Sequence, residues 1–208
     1  MVELRPLLAS DVEDLYAISL ATGHWGGDAA NLYDDPNLMG HIYSAPYASL
    51  EPGLCFVAED NQGVAGFVVG TLDTYAFELA LEKYWWPSLR VRYPAPDIAN
   101  SASWSADEKR CQMIQFPNIT PKSITVDFPG HLHLNILPRL QGQGVGKALL
   151  RTWEAAAKRN SADAAHVGVN PMNHNAIRFW NANGFRLLNG DLGLPSDRTL
   201  WLGRQLIC

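Results

Sequence analysis

The chain has few cysteines and no long apolar run, and both shortages exclude classes of protein. Its three cysteines, Cys55, Cys111 and Cys208, are odd in number and far apart, which argues against a disulfide scaffold and for a reducing compartment. No stretch approaches the roughly twenty apolar residues of a membrane span. The first residues also lack the apolar core of a signal peptide. We therefore expect a cytoplasmic protein that does not enter a membrane.

Positive charge is scarce as well. The 208 residues carry 16 lysines and arginines against 21 aspartates and glutamates, a net charge of -5. This balance gives no electrostatic case for binding nucleic acid or an anionic membrane surface, although it would tolerate a cationic ligand. With 47% hydrophobic and 18% charged residues, the composition indicates a compact globular protein. The length suits a single domain over residues 1–208.

The hydrophobic periodicity predicts alternating strands and helices. An amino-terminal strand is followed by a helix with a cap at Ser10-Asp11, a second short helix, and a hairpin. The carboxy-terminal half continues with helices and strands in alternation. The predicted strands are 2–7, 54–58, 64–70, 131–137, 165–169, 185–188 and 199–206, and the predicted helices are 12–19, 38–43, 145–159 and 175–181.

A glycine-rich turn, Gln141-Gly142-Gln143-Gly144-Val145-Gly146-Lys147, joins one of these strands to a helix. Glycines turn tightly and leave backbone N–H groups unshielded, and the helix that follows carries partial positive charge at its N-terminus. This is the local chemistry of a phosphate site, although glycines also cluster in ordinary loops. The turn lacks the Gly-Lys-Ser/Thr ending of a P-loop and the Gly-x-Gly-x-x-Gly pattern of a dinucleotide fold.

Two motifs carry a resemblance to the GNAT superfamily of N-acetyltransferases. Gln141-x-x-Gly144-x-Gly146 resembles the acetyl-CoA signature of that family, and the block from Val169 to Phe185 resembles its next strand and helix. The resemblance covers residues 131–190 well. It implies an α/β (α+β) fold with a mixed, mostly antiparallel sheet of about seven strands, splayed at the two central parallel strands and flanked by helices.

The same resemblance implies acetyl-CoA (coenzyme A) as the cofactor. The pyrophosphate would lie on the glycine turn, the pantetheine arm would bond the backbone at the end of the preceding strand, and the next helix would form the second wall. Asn173 and Asn175 have an alternative role as helix caps. The cofactor-binding residues implied are Ile136, Leu137, Gln141, Gly142, Gln143, Gly144, Val145, Gly146, Lys147, Asn173, Asn175, Ala176 and Phe179.

Acetyl transfer to an amine needs a deprotonated nucleophile and a stabilised oxyanion. His131 and His133 lie on one face of their strand by its two-residue period, and an imidazole can take a proton near neutral pH. They resemble the paired histidines of the arylalkylamine acyltransferase branch, with a spacing to Gln141 that differs by one residue. Two hydrogen-bonded structural histidines are the alternative. In the family a backbone N–H at a bulge of this strand serves the oxyanion.

One position departs from the family pattern. Trp180 stands where family members often place a tyrosine that protonates the leaving thiolate. His131–Pro138 and Trp85-Trp86-Pro87 also resemble, more distantly, the acetyltransferase-like domain attached to O-GlcNAc hydrolases and its stand-alone bacterial relatives. That attached domain in animals is thought to lack acetyltransferase activity. Two hypotheses follow: an N-acetyltransferase acting by direct attack of an amine on the thioester, and a non-catalytic acetyl-CoA or ligand-binding module.

Residues 71–125 are the least regular part of the chain, with helical spacing over 77–86 and an ordered loop or short helix expected beyond. We interpret them as an insertion covering the acceptor side, with anchoring of a surface excursion as the alternative. Asp73 is a further catalytic candidate beside His133 and His131. The acceptor would be a small-molecule or peptide amine, no metal is implied, and the protein would be a monomer or homodimer. Acceptor-pocket candidates are Tyr75, Tyr84, Trp85, Asn135 and Trp180, with Glu78 nearby.

Overall fold

The computed structural model describes residues 1–188 and 199–206. Within them, seven strands form one sheet in the order β1-β2-β3-β4-β5-β7-β6. All neighbours are antiparallel except β4 and β5, which are parallel. This confirms the predicted fold class. The strands are β1 (Glu3–Pro6), β2 (Phe56–Asp60), β3 (Gly63–Thr71), β4 (Gly130–Ile136), β5 (Ala164–Val169), β6 (Arg186–Leu187) and β7 (Leu200–Gln205).

Helices cover both faces of the sheet. α8 carries a broad apolar face, and α9 follows β5 directly. The predicted strands and helices agree with the structure to within three residues at each end, but the short helix α3 was not predicted. The helices are α1 (Val12–Ala21), α2 (Leu38–Tyr43), α3 (Ala45–Leu50), α4 (Thr74–Ala80), α5 (Trp86–Arg92), α6 (Ala106–Gln115), α7 (Lys122–Thr125), α8 (Val145–Arg159) and α9 (His174–Ala182).

The alternation of β4 divides its residues between the two faces of the sheet. Leu132 faces the main core, where the fully buried Trp153 of α8 and Phe185 also pack. His131, His133 and Asn135 face the opposite side, where α1, α3 and α4 surround a second core. Burying the large apolar residues of α8 fixes which side of β4 remains available for polar side chains.

The two central strands separate soon after they meet. Only Gly130 with Ala165 and His131 with His166 are paired between β4 and β5. Leu137 donates its N–H to Ala65 at 2.8 Å, so the alternation of backbone groups turns the N–H and C=O of Leu134 toward β5. On β5 the same alternation turns the backbone of Gly168 toward β4, because Leu206 donates to Asp163 at 2.7 Å. The sheet is therefore open between these strands.

The bulge expected in the central strand is not present in the β3–β4 ladder. The two strands pair residue for residue, from Gly66 with Ile136 to Thr71 with His131. The irregularity of this part of the sheet lies instead in β2, between Ala58 and Glu59. Separation of β4 from β5 frees backbone N–H groups without a bulge, which is why the ladder with β3 can stay regular.

The segment 71–125 is more helical than predicted. It contains α4, α5, α6 and α7, with a π-helical turn between the first two. α6 begins at a reciprocal cap in which Glu108 N–H donates to Ser105 Oγ at 3.1 Å and Ser105 N–H donates to Glu108 at 2.7 Å. The pattern Ser-x-x-Glu was readable in the sequence and would have predicted this helix. No helix among the described residues is long and apolar enough to cross a membrane.

Candidate active site

The glycine-rich turn has the open backbone that the sequence predicted. Gly142 and Gly144 have φ values of 72° and 80°, in the left-handed region that favours glycine. A Cβ atom added at either position would meet nothing within 4 Å, so both glycines border open space. The first helical hydrogen bond runs from Ala148 N–H to Gly144 carbonyl at 3.1 Å. The amides that precede Ala148 in the turn therefore have no intrahelical acceptor.

Two side chains fix this turn to the sheet. Gln141 donates from Nε2 to the carbonyl of Ile136 at 2.8 Å, which ties the turn to the last residue of β4. Arg139 pairs with Asp60 at 3.0 Å and bonds the carbonyls of the β2–β3 hairpin. Gln143 donates to the carbonyl of Arg139 at 2.7 Å. The turn is thus held by its side chains while its glycine amides remain open, and Lys147 is exposed beside it.

The end of β4 contributes differently from what we predicted. Both backbone groups of Leu137 are occupied, since its N–H donates to Ala65 and its carbonyl accepts from Leu140 at 3.0 Å. The carbonyl of Ile136 accepts from Gln141, and only its N–H points into the gap between the strands. Leu134, which the sequence analysis did not single out, turns both backbone groups into that gap. The physical reason is the two-residue alternation of the ladder with β3.

The second wall is formed by α9. Asn173 is its cap, because its Oδ1 accepts from Ala176 N–H at 3.0 Å, as the alternative reading proposed. Asn175 is exposed on the first turn and accepts from Arg178. Phe179 lies against the turn, since a Cβ at Gly146 would approach its ring to 3.1 Å. Gly146 therefore permits α8 and α9 to meet closely at the end of the gap.

Two cavities lie on the His131 side of the sheet and share part of their lining. The first, of about 380 Å³, is bordered by α2, α4 and the segment after α6. The second, of about 430 Å³, extends to the loop after α1 and to the start of α9. Tyr43, Met113, Asn118, His133, Gly168 and Thr199 line both. His133 and Gly168 thus lie where the gap between β4 and β5 meets the two cavities.

His131 is held by hydrogen bonds at both ring nitrogens. Thr74 Oγ1 donates its one hydrogen to the carbonyl of Pro129 at 2.6 Å. In its contact of 2.7 Å with His131 Nδ1, Thr74 Oγ1 is therefore the acceptor and the ring N–H is the donor. Nε2 then carries the lone pair and accepts from Tyr47 O–H at 2.6 Å. Burial and the neighbouring histidines lower the pKa of His131 well below its usual range. This histidine is a neutral, fixed part of the wall.

His133 differs from its neighbour because no described residue forms a hydrogen bond with its ring. Its ring meets Tyr43 and Tyr47 edge to face at 5.8 and 5.5 Å between centroids. Burial, with a smaller effect of His166, lowers the pKa of His133 to about 4. The side chain is neutral at physiological pH and offers a ring nitrogen to the cavities. Of the two predicted histidines, His133 is the one that is available to a ligand.

Some of the residues predicted for the acceptor pocket line a cavity and others do not. Tyr75 lines the first cavity and Asn135 the second, where Asn135 donates to Thr22 at 2.6 Å. Tyr84 is 64% exposed and lines neither of the two cavities. Trp85 is turned into the interior of the insertion and donates to His41 carbonyl at 2.9 Å. We expected a common location for these aromatics, but Tyr84 and Trp85 are neighbours on a helical turn, so their side chains point in different directions.

Two further residues predicted for the site, Asp73 and Trp180, have structural roles. Asp73 caps α4 by accepting from Ala76 N–H at 3.0 Å, and it lines neither cavity. Trp180 is 5% exposed in the main core, packed edge to face against Phe179 and Phe185. It therefore does not line the acceptor cavities, contrary to our expectation. Glu78 lines the first cavity and accepts from Thr120 N–H at 2.9 Å.

Several lining residues were missed by the sequence analysis. Tyr43 and Tyr47 come from α2 and α3, and Arg110 and Met113 come from the undetected helix α6. His166 on β5 lies beside His131, with 5.6 Å between ring centroids. The Ser105 cap would have revealed α6, but no local pattern indicates that it packs beside α2. The thiols of Cys55 and Cys111 are free, and Cys208 lies outside the described residues.

Comparisons with known proteins concern the family and the fold. The acetyltransferase (GNAT) domain family matches residues 101–187. The crystal structure of SsHAT is 31% identical, with a TM-score of 0.89, and the match covers 100% of this chain and 99% of that one. The PaiA N-acetyltransferase from Thermoplasma acidophilum, solved in complex with coenzyme A, shares the fold at 15% identity, TM-score 0.58, and 99% coverage of both chains.

A curated relative of a different length also matches. Protein O-GlcNAcase from Rattus norvegicus is 24% identical over 212 residues, which cover 98% of this chain. The chain spans only 22% of the length of that protein. The match therefore concerns one part of a longer molecule. The near-complete match to SsHAT, the match to the GNAT domain family and the family motifs identify the chain as a member of the GNAT acetyltransferase superfamily.

Proposed function

We propose that this protein is an acetyl-CoA-dependent N-acetyltransferase in which an acceptor amine attacks the thioester directly. The observation that carries the proposal is the position of His133, which borders both cavities at the point where β4 leaves β5 and which has no hydrogen-bond partner among the described residues. A neutral imidazole without a competing partner among the described residues, at the mouth of an open gap, is placed to accept a hydrogen bond and then a proton from an acceptor amine.

The residues present fit coenzyme A. The amides from Gly142 to Lys147 lack intrahelical acceptors, and the turn borders open space at Gly142 and Gly144, which suits a pyrophosphate. The carbonyl of Leu134, the N–H of Ile136 and the backbone of Gly168 face the gap, which suits the amides of a pantetheine arm. Lys147 and the wall formed by Ala176 and Phe179 complete the candidate binding residues. When bound, acetyl-CoA supplies an acetyl group activated as a thioester.

His133 would act as the general base. Its ring nitrogen accepts a proton from the acceptor amine, which must lose one when it forms the amide bond. His131 would act as a positioning residue, because both of its ring nitrogens are already occupied by Tyr47 and Thr74. Its neutral state leaves the neighbouring His133 without a close positive charge. We do not assign a catalytic role to Asp73, since its carboxylate caps α4.

Backbone groups would stabilise the developing oxyanion. The N–H of Leu134 lies on the side of β4 that faces the gap, one residue from His133, and it is not used by the sheet. A fixed N–H in a partly enclosed site stabilises negative charge as it develops. Protonation of the leaving thiolate is not required for turnover, because a thiolate is a tolerable leaving group and general-acid assistance is worth roughly 10²–10⁴-fold.

The alternative is a module that binds acetyl-CoA without catalysis, which the tryptophan at position 180 favours. Thermal-shift measurement with acetyl-CoA, followed by a screen of amines for release of free CoA, separates the two. If an amine causes release of CoA, and Gly144→Glu abolishes that release, the protein is an enzyme. Stabilisation without release for any amine supports the binding module, and no stabilisation at millimolar acetyl-CoA overturns both. A cytoplasmic location and a monomeric or dimeric state stay predictions.

A further inference from the structure

A half-buried arginine from α6 lines the second cavity. Arg110 donates from Nε to the hydroxyl of Tyr33 at 3.0 Å and from Nη1 to the hydroxyl of Tyr43 at 2.9 Å. Nη1 also contacts the sulfur of Met113 at 2.9 Å. These partners are neutral, and the two N–H groups on Nη2 have no partner among the described residues. The guanidinium is thus held in place by three contacts, none of which balances its charge.

The carboxylates near this arginine are committed elsewhere. Asp107, on the first turn of the same helix, accepts from the backbone N–H groups of Asp34 and Asp35 at 3.1 and 2.9 Å. Asp35 itself accepts from Tyr93 at 2.8 Å. Within residues 1–188 and 199–206 no carboxylate lies within ion-pairing distance of Arg110, and none lines the second cavity. A partly desolvated cation without a counter-ion is costly unless a ligand supplies the anion.

The cation and the candidate base border the same cavity. Tyr43 lies between them: its hydroxyl accepts from Arg110, and its ring meets His133 at 5.8 Å between centroids. Asn135, Asn170 and Asn173 line the same cavity and supply uncharged amide groups. A molecule that places an amine at His133 would extend past one tyrosine ring toward the Nη2 group of Arg110, which no described residue contacts.

We infer that the acceptor is an amine that also carries a carboxylate, such as an amino acid, and that Arg110 binds this carboxylate. The inference rests on the proposed function and gives its substrate class. The planar guanidinium matches a carboxylate, and its Nη2 group is the part left available. Tyr33 and Tyr43 fix the guanidinium so that little side-chain freedom is lost on binding.

A panel of matched acceptors tests the inference. Amino acids of several sizes are each compared with their amide and with the amine that lacks the carboxyl group, and release of CoA is followed with a thiol reagent. We expect the amino acid to have the highest kcat/KM of its set. Arg110→Met should lower that value by about 10- to 100-fold, mainly through KM, and should leave the amides unaffected. Arg151→Met, on the exposed face of α8, is the matched control.

Binding measurements keep the two proposals distinguishable. Calorimetric titration of the same acceptors into CoA-loaded protein should show the carboxylate preference even without turnover, and Arg110→Met should abolish it. Turnover of amines and amides as efficient as that of amino acids would overturn the inference while leaving the acetyltransferase function intact. Weaker CoA binding by Arg110→Met would also overturn the inference, because Arg110 would then bind a phosphate of the cofactor and not the carboxylate of the acceptor. Absence of any carboxylate preference in both measurements would also overturn it.

Discussion

Tyr47 donates its hydroxyl hydrogen to Nε2 of His131 over 2.6 Å, although 84 residues separate them in the chain. Because Thr74 accepts from the other ring nitrogen, this bond fixes one neutral tautomer of His131. The neighbouring His133 has no such partner among the described residues. Two histidines that look equivalent in the sequence therefore differ in their availability to a ligand, and this difference can be measured.

Replacing Tyr47 by phenylalanine should destabilise the protein. The change leaves His131 Nε2 buried without a donor, which costs about 1–3 kcal/mol. Urea unfolding of Tyr47→Phe against the parent protein measures the loss. Tyr84→Phe is the control, since that ring is 64% exposed and should change the free energy of unfolding by less than about 0.5 kcal/mol. Equal stability of both variants would contradict the assigned bond.

Replacing His133 by alanine should lower kcat without weakening the binding of acetyl-CoA. A positioned general base contributes roughly 10²–10⁴-fold, so a loss of that size is expected. The thermal shift produced by acetyl-CoA should stay as in the parent protein, because the glycine turn is untouched. His174→Ala removes an exposed histidine from α9 and should leave kcat unchanged. An unaltered rate for His133→Ala would remove this residue from the mechanism.

Stability should fall as the solution is acidified from about pH 6.5 toward pH 4. The pKa of His133 is lowered from its ordinary value of 6.5 to about 4 in the folded protein, chiefly by burial. In this window the unfolded chain binds the proton and the folded protein does not, so protons favour unfolding. Burial also lowers the pKa values of His131 and His166, which act in the same direction. Urea unfolding across this range checks the slope, and His133→Asn should reduce it.

A glutamate at position 144 should prevent cofactor binding. Gly144 has a φ of 80°, which a residue with a Cβ adopts at a cost of roughly 1–2 kcal/mol, and the new carboxylate would repel a pyrophosphate at the turn. The thermal shift with acetyl-CoA should disappear. Gly53→Glu adds the same charge at an exposed glycine where a Cβ meets nothing within 4 Å, and its thermal shift should remain. Retained binding by Gly144→Glu would refute the assignment of the turn.

Truncating Trp180 should reduce stability. This side chain is 5% exposed between Phe179 and Phe185, and Trp→Ala changes in a core cost about 3–5 kcal/mol. Thermal and urea unfolding should show the loss. Trp104→Ala removes a tryptophan near the surface of the insertion, where its ring donates to Asp97 carbonyl, and should cost less. A mild effect at Trp180 would contradict its position in the core.

The sequence predicted the parts of the site that depend on neighbours in the chain. The glycine turn was predictable because positive φ and open N–H groups follow from residue type at Gly142 and Gly144. His131 and His133 share a face because a strand has a period of two. The cap of α6 at Ser105 was equally local and could have been found. In each case the physical cause acts over fewer than five residues.

Other features depend on partners that are distant along the chain. Asp73, Trp85 and Trp180 belong to residue types that suit a site, but helix capping and core packing use them elsewhere. The backbone of Leu134 became available, and that of Leu137 did not, through the register between β4 and β3. Local sequence carries no signal for that register, because it depends on how whole strands align.

By itself, the sequence determined the order of the strands, the glycine turn and several of the helices, and two of its motifs carried the resemblance to the GNAT superfamily. The strands, the helices and the turn follow from periodicity and backbone preference, which are local properties of the residues. Only the tertiary structure decided that β4 and β5 separate after His131, that His133 lacks a partner among the described residues, and that Arg110 lies against Tyr43 across 67 positions of chain. Such relationships arise when distant elements pack, since burial and hydrogen bonding then decide which side chains remain available.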